Sequence, residues 1–288
     1  MFLGHVAELW RHPVKSMRGD RLPQVAVTEG FGVPGDRGWA LRDEKAGEIR
    51  GAKKITSLLR FHARYLTEPA GASTPPVEIT FPDGTTMTSD DERIDEALSE
   101  ALGRQVSLWP RRPADDHDHY RRASRLNEQE LREQLGLDPD EPIPDYSKLP
   151  ASVMSQLRGY ATPRGTYFDA LPLSLLTTTS MGSLGEMTPD AVIDSRRFRK
   201  NIIVEGAPAL AGFPEFDWVG RRLRIGTVLV EVVMPISRCV MVVLPQADLP
   251  HDRPILRSLV KHTDMNFGVY LRVIEPGEIS EGDPVELC

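Results

Sequence analysis

The residue best suited to bind a soft metal or attack an electrophile is Cys239, in PISRCVMVV (235–243). A cysteine in an apolar stretch is often a small buried hydrophobe. Here, however, Ser237 and Arg238 immediately precede it, and a nearby cation favours the thiolate that ligates metals. The Pro-Ile-Ser segment reads as a turn that places the thiol at the start of a strand. Lys15 and Ser16, in HPVKSM, offer a point charge and a hydroxyl to a phosphate, although the GxxxxGK[ST] frame of a nucleotide-binding loop is missing. Arg37, in GDRGWAL, follows a Gly-Asp turn and leads into an apolar strand. In DSRRFRKNIIVEG, four cations (Arg196, Arg197, Arg199 and Lys200) precede a strand that begins near Asn201. Extended alternation would send Arg197 and Arg199 to one face, and Arg196, Phe198 and Lys200 to the other. One face would then line a pocket while the other packs.

These residues need a scaffold, and the chain supplies one of mainly β character with some α. Its 288 residues are long enough for a real core, and 40% hydrophobic with 27% charged residues is the globular range. With 24 prolines and 23 glycines, turns are plentiful. Residues 1–109 read as short antiparallel strands (VAELWRHPV, PQVAVTEG, GWALRD, VEITFPDG, QVSLWP) with one clear helix, DERIDEALSEALG, stopped at Gly103. Residues 110–168 are charged, acidic and proline-rich; they read as a linker or insertion with one helix, SRLNEQELREQLG, long for a plain connection. Residues 169–288 return to strands, including LPLSLLTTTS, NIIVEG, RLRIGTVLVEVVMP and RCVMVVLP, with a helix at PILRSLVKH. The pattern points to barrels or sandwiches rather than a parallel α/β sheet.

A formal charge of −7 argues against a general nucleic-acid binder, without opposing one small anion in a local basic pocket. Cys239 and Cys288 are the two cysteines, and no Cys/His spacing suggests zinc. No signal peptide and no membrane-length apolar run are found, so the expected location is cytoplasmic.

Taken in order, ELWRHPVKSM, VTEGFGVPGDRGWALRD, FDALPLSLLTTTSMGSL, SRRFRKNIIVEG, FPEFDWVGRRLRIG, PISRCVM and FGVYLRVIEPGEISEGDPV resemble the MOSC family over roughly residues 3–109 and 166–288. The resemblance implies an N-terminal β-barrel-like domain (1–109), the linker 110–168, and a C-terminal MOSC β-barrel domain (169–288). It implies the molybdenum cofactor (Mo-molybdopterin), with Cys239 as metal ligand and Arg238 and Ser237 beside it. Lys15, Ser16, Arg37, Arg199 and Asn201 would hold the pterin and its phosphate. The implied activity is reduction of N-hydroxylated substrates: hydroxamic acids, amidoximes, hydroxylamines or N-oxides. With no ferredoxin-type cysteine set, electrons would come from an external donor protein. Two other readings stay open: a sulfur carrier using a Cys239 persulfide, and a non-catalytic cofactor binder. After Cys239 the chain departs from the Thr-Thr-Val-Asp-Pro stretch of amidoxime-reducing members, having Val242, Val243, Leu244, Pro245 and Gln246 instead. His119, Tyr120, Tyr146 and Tyr160 are expected to contact substrate.

Overall fold

A computed structural model describes residues 1–123, 127–143 and 159–288. Tyr146 and the first three residues of the expected SRLNEQELREQLG helix lie outside them. The chain forms two compact units that interleave along the sequence: residues 1–11, 21–34 and 171–288 make the first, and residues 12–20 and 35–170 the second.

The first unit is built on a closed barrel of seven strands. Around the ring, Phe2–Arg11 pairs with Ile202–Gly206, which is followed by Leu173–Thr177, Asn266–Glu275, Val228–Ser237, Arg222–Ile225 and Pro284–Leu287, and the last pairs back to Phe2–Arg11. The residues fold this way because β-branched and leucine side chains alternate inward: Leu3, Val6, Leu9, Leu175, Val204, Leu223, Val230, Val232, Val269 and Val285 share one core. Each such buried side chain contributes about 1.5–3 kcal/mol. Closure depends on Gly4, which faces Gly206 on one neighbouring strand and Val285 on the other. Its φ is 143°, and a Cβ there would lie 2.0 Å from the Glu205 carbonyl oxygen. The pairing of Leu173–Thr177 with Ile202–Gly206 is parallel, and the crossover between them contains the helix Thr178–Met187. That helix corrects the reading of LPLSLLTTTS as one strand: the Thr177 hydroxyl caps the Ser180 N–H and ends the strand at Thr177.

The second unit holds two three-stranded antiparallel sheets, one of Glu48–Arg50, Trp39–Asp43 and Val106–Pro110, the other of His62–Tyr65, Val77–Thr80 and Thr86–Thr88. The helix Ile94–Leu102 forms where its apolar periodicity placed it and stops at Gly103, whose φ is 61°. The described part of residues 110–168 enters this unit's core, since Tyr120 and Tyr167 are both buried beside Ala40 and Ile49. The mainly β expectation with some α therefore holds.

Candidate functional site

In the second unit, Lys15 is held by two acceptors: its Nζ donates to the Tyr167 carbonyl at 2.8 Å and to Asp169 Oδ1 at 2.6 Å. The lysine side chain is 11% exposed, whereas the Asp169 side chain is 57% exposed. Burial is the main reason the Lys15 pKa falls; Arg37 and Lys53 push it the same way, and Asp169 opposes them. Desolvation would raise Asp169, but Lys15, Lys53 and Arg37 together hold its carboxyl well below the usual carboxylate range. Three cations thus converge on one carboxylate that water can still reach. Asp36 is buried, ion-paired with Arg37, and accepts the His12 N–H at 2.7 Å. It orients the Arg37 guanidinium from its root.

Ser16 is buried, and its Oγ accepts the Ala52 N–H at 2.9 Å. The hydroxyl thereby anchors the turn that carries Lys53. A side chain at Gly51 would strike this hydroxyl at 2.6 Å. Lys53 and Asp169 were not singled out from the sequence. Asp169 lies in a quoted motif, but its partner is distant along the chain, and nothing local marks it.

In the first unit, Cys239 is partly buried and follows the end of the strand Val228–Ser237; the single 3-10 turn Val240–Val243 comes next. This corrects two expectations. Pro235 to Ser237 continue the strand rather than forming a turn, and RCVMVVLP is not a strand. The Arg238 N–H donates to the Met265 carbonyl at 2.7 Å and its guanidinium to the Phe198 carbonyl at 3.1 Å. The Ser237 Oγ is buried with no hydrogen-bond partner among the described residues.

The expected alternation at 196–200 fails, because Ser195–Arg197 is a 3-10 turn. Arg197 is fully buried and Arg199 is 8% exposed. Asn201 is committed to the barrel: its Oδ1 accepts from the Ser174 N–H (3.1 Å) and Oγ (2.9 Å), and its backbone carbonyl accepts the Trp10 N–H (2.8 Å). Ser16, Arg37 and Arg199 are three of the six described non-glycine residues with positive φ, at 71°, 49° and 53°. Such backbone costs about 1–3 kcal/mol per residue and clusters at functional sites.

Of the aromatic residues expected at substrate, Tyr120 is 0% exposed and donates to the Arg112 carbonyl at 2.6 Å. His119 is buried, with Nε2 2.7 Å from the Tyr167 hydroxyl. Both are occupied within the second unit's core; Tyr160 is partly exposed, and Tyr146 lies outside the described residues.

Among the described residues no group of three or more His, Cys, Asp or Glu is placed to hold a metal. The donor set near Cys239 is one thiol, one buried hydroxyl without a partner among the described residues and an anchored arginine. It suits a group that brings most of its own metal ligands and carries an anionic tail.

Two family models match the chain: the MOSC N-terminal beta barrel domain over residues 3–114 and the MOSC domain over residues 163–286. Mitochondrial amidoxime-reducing component 1 from Mus musculus is 22% identical over 315 residues, which span 99% of this chain and 82% of that protein. The protein of the same name from Homo sapiens is 24% identical, over 99% of this chain and 83% of the relative. Among solved structures, the YuaD protein from Bacillus subtilis aligns over 100% of this chain and 98% of its own, with 12% identity and a TM-score of 0.47. Among the described residues no helix is long and apolar enough to cross a membrane.

Proposed function

The chain belongs to the MOSC-domain family, and from that premise we propose that it binds the molybdenum cofactor through Cys239 and reduces N-hydroxylated compounds with electrons from a separate donor protein. The observation that carries this reading is the setting of Cys239: one thiol beside an anchored arginine and a buried serine hydroxyl with no partner among the described residues. The names of the relatives, both amidoxime-reducing components, support the choice of substrate class. When bound, the cofactor supplies a two-electron redox centre able to take the oxygen from an N–O bond.

The chain's own residues have distinct tasks in this reading. Cys239 gives a soft thiolate donor, which suits molybdenum better than a hydroxyl or carboxylate. Arg238, tied to Phe198 and Met265, fixes the direction of the Cys239 backbone. The Ser237 hydroxyl has a donor to give to the bound group. Lys15 and Arg37, with their charges already oriented by Asp169 and Asp36, hold the phosphate. Arg199 supplies a further cation for the cofactor. Ser16 and Asn201 act by holding backbone, since the structure uses the Ser16 oxygen as an acceptor and both ends of the Asn201 amide within the protein. Reduction of an amidoxime to an amidine consumes two electrons and two protons and releases water; the donor protein supplies the electrons and solvent the protons.

The test is the molybdenum and pterin content of freshly purified full chain, followed by turnover of a hydroxamic acid and an amidoxime with a reduced viologen as donor. Stoichiometric molybdenum with reductive turnover is expected. Metal-free protein from a host that makes the cofactor would overturn the reading. Stoichiometric molybdenum without turnover would leave a cofactor binder and remove the reductase.

A further inference from the structure

We propose that Arg197 is a positioning residue for the Cys239 thiol, an inference that rests on reading Cys239 as the working residue. Arg197 leads the fully buried side chains by size, with 0% exposure. It sits in the 3-10 turn Ser195–Arg197, opened by Asp194, whose carboxylate accepts the Arg196 N–H at 2.9 Å. From there its guanidinium spreads over four acceptors. Nε donates to the Val192 carbonyl at 2.8 Å, and Nη2 to the Pro250 carbonyl at 2.9 Å. Nη2 also pairs with Asp252 Oδ2, and Nη1 reaches the Val242 carbonyl at 3.4 Å.

Three of these acceptors belong to residues 242–252, the segment that follows Cys239. The same segment is closed on itself: Asp252 N–H donates to the Val243 carbonyl at 2.9 Å, and Gln246 and Leu249 exchange backbone bonds at 3.1 and 2.8 Å. On the other side of Cys239, the Arg238 guanidinium donates to the carbonyl of Phe198, the residue after Arg197. The chain is therefore docked before and after the thiol onto two consecutive residues. The next residue, Arg199, has a left-handed backbone, with φ 53°. A buried cation is tolerated only when its donors are matched. The arginine fork matches carbonyls in several directions at once, and a lysine ammonium cannot reproduce that geometry. A residue that merely stapled the barrel would have no reason to gather its acceptors from the one loop that carries the thiol.

The experiment uses the full chain in a Cys288→Ala background, so that Cys239 is the sole thiol, purified from a host unable to make the pterin. The rate of Cys239 modification by 5,5′-dithiobis(2-nitrobenzoic acid) is followed across pH for the parent, Arg197→Lys, Arg197→Gln and Asp252→Asn, together with each thermal midpoint. Release of the loop should change the thiol rate by roughly tenfold or more, beyond what the change in global stability accounts for. Lysine should fail to rescue, because charge without the fork does not hold four acceptors. Should Arg197→Gln fail to fold, Arg197→Lys and Asp252→Asn still read the loop. Rates within about twofold of the parent in folded variants would overturn the proposal, as would rates that simply track global stability or full rescue by lysine. Because the thiol is read without cofactor, failure here is separable from failure of the molybdenum reading, which is scored by the metal content of the parent.

Discussion

Replacing Lys15 by methionine keeps the length of the side chain and removes its charge. The substitution takes away two hydrogen bonds, to the Tyr167 carbonyl at 2.8 Å and to Asp169 at 2.6 Å. A charge-assisted hydrogen bond is worth about 1.5–3 kcal/mol and a neutral one about 0.5–1.5. Against this stands the desolvation of Lys15, the largest influence on its pKa, which the methionine no longer suffers. Asp169 is more than half exposed and regains water once its partner is gone. The net loss of stability should therefore be small, about 1–2 kcal/mol. Retention of an anionic cofactor has no such compensation: removing one charge-assisted hydrogen bond to it weakens binding by about 10- to 150-fold. The assay pairs a thermal melt with molybdenum and pterin content after gel filtration. A melt lowered by a few degrees with most of the molybdenum gone is expected. The acid side of the stability profile should also move. Asp169 stabilises the fold above the unfolded carboxyl pKa, and that contribution fades as pH falls through its depressed folded value. With Lys15 gone the folded value is less depressed, so the acid loss should be smaller and should be complete at higher pH. Parental molybdenum content in Lys15→Met would refute the reasoning and leave Lys15 as a structural tie to Asp169.

Three further outcomes are expected. Cys239→Ala should abolish reductase turnover while the melt stays near the parent, and Cys288→Ala should leave both unchanged, its thiol being exposed; full turnover in Cys239→Ala would remove the metal-ligand role. Glu215 is raised by burial, more than the Ser180 and Thr177 hydroxyls and Lys200 lower it, so the folded state holds its proton more tightly than the unfolded one. Its contribution is fullest below the unfolded carboxyl pKa and is lost as pH rises through the folded value. Glu215→Gln should flatten that decline in a urea titration series, and parallel curves for the two proteins would count against it. Gly4→Ala drives a Cβ into the Glu205 carbonyl at a positive φ, which should cost about 3 kcal/mol or more in the urea midpoint; a shift below about 0.5 kcal/mol would show that the seam yields.

What the sequence disclosed followed the range of the interaction. The helix Ile94–Leu102 with its Gly103 stop was legible because periodicity and cap lie within ten residues of each other. Most strands were legible for the same reason, RCVMVVLP being the exception, but their partners were not: nothing near Phe2–Arg11 says that it pairs with Ile202–Gly206 and Pro284–Leu287. At 196–200 the extended alternation failed because Asp194 opens a 3-10 turn that rotates Arg197 into the core. Asn201 was legible as a residue at a strand start, but not that its side-chain oxygen accepts from Ser174, twenty-seven residues away. The cation cluster was half visible: Lys15 stood out in a Lys-Ser pair and Arg37 after a Gly-Asp turn, whereas Lys53 joins them through the hydroxyl of Ser16. Asp169 joins through Lys15, 154 residues distant.

The closing strand of the barrel also sets a schedule for the nascent chain. Phe2–Arg11 is made before its partners, which include Gly206 and Glu286, so the ring cannot close until residue 286 has left the ribosome. At about 5–20 residues per second, that strand waits roughly 15–60 seconds with at least one edge bare. Residues 35–170, which complete the second unit, emerge entirely inside that interval. One unit can therefore reach its native core while the other is held open, and the four residues of the strand Pro284–Leu287 act as the fastener. Deleting that strand would leave a barrel with a permanent gap, exposing unpaired edges of the kind that seed aggregation.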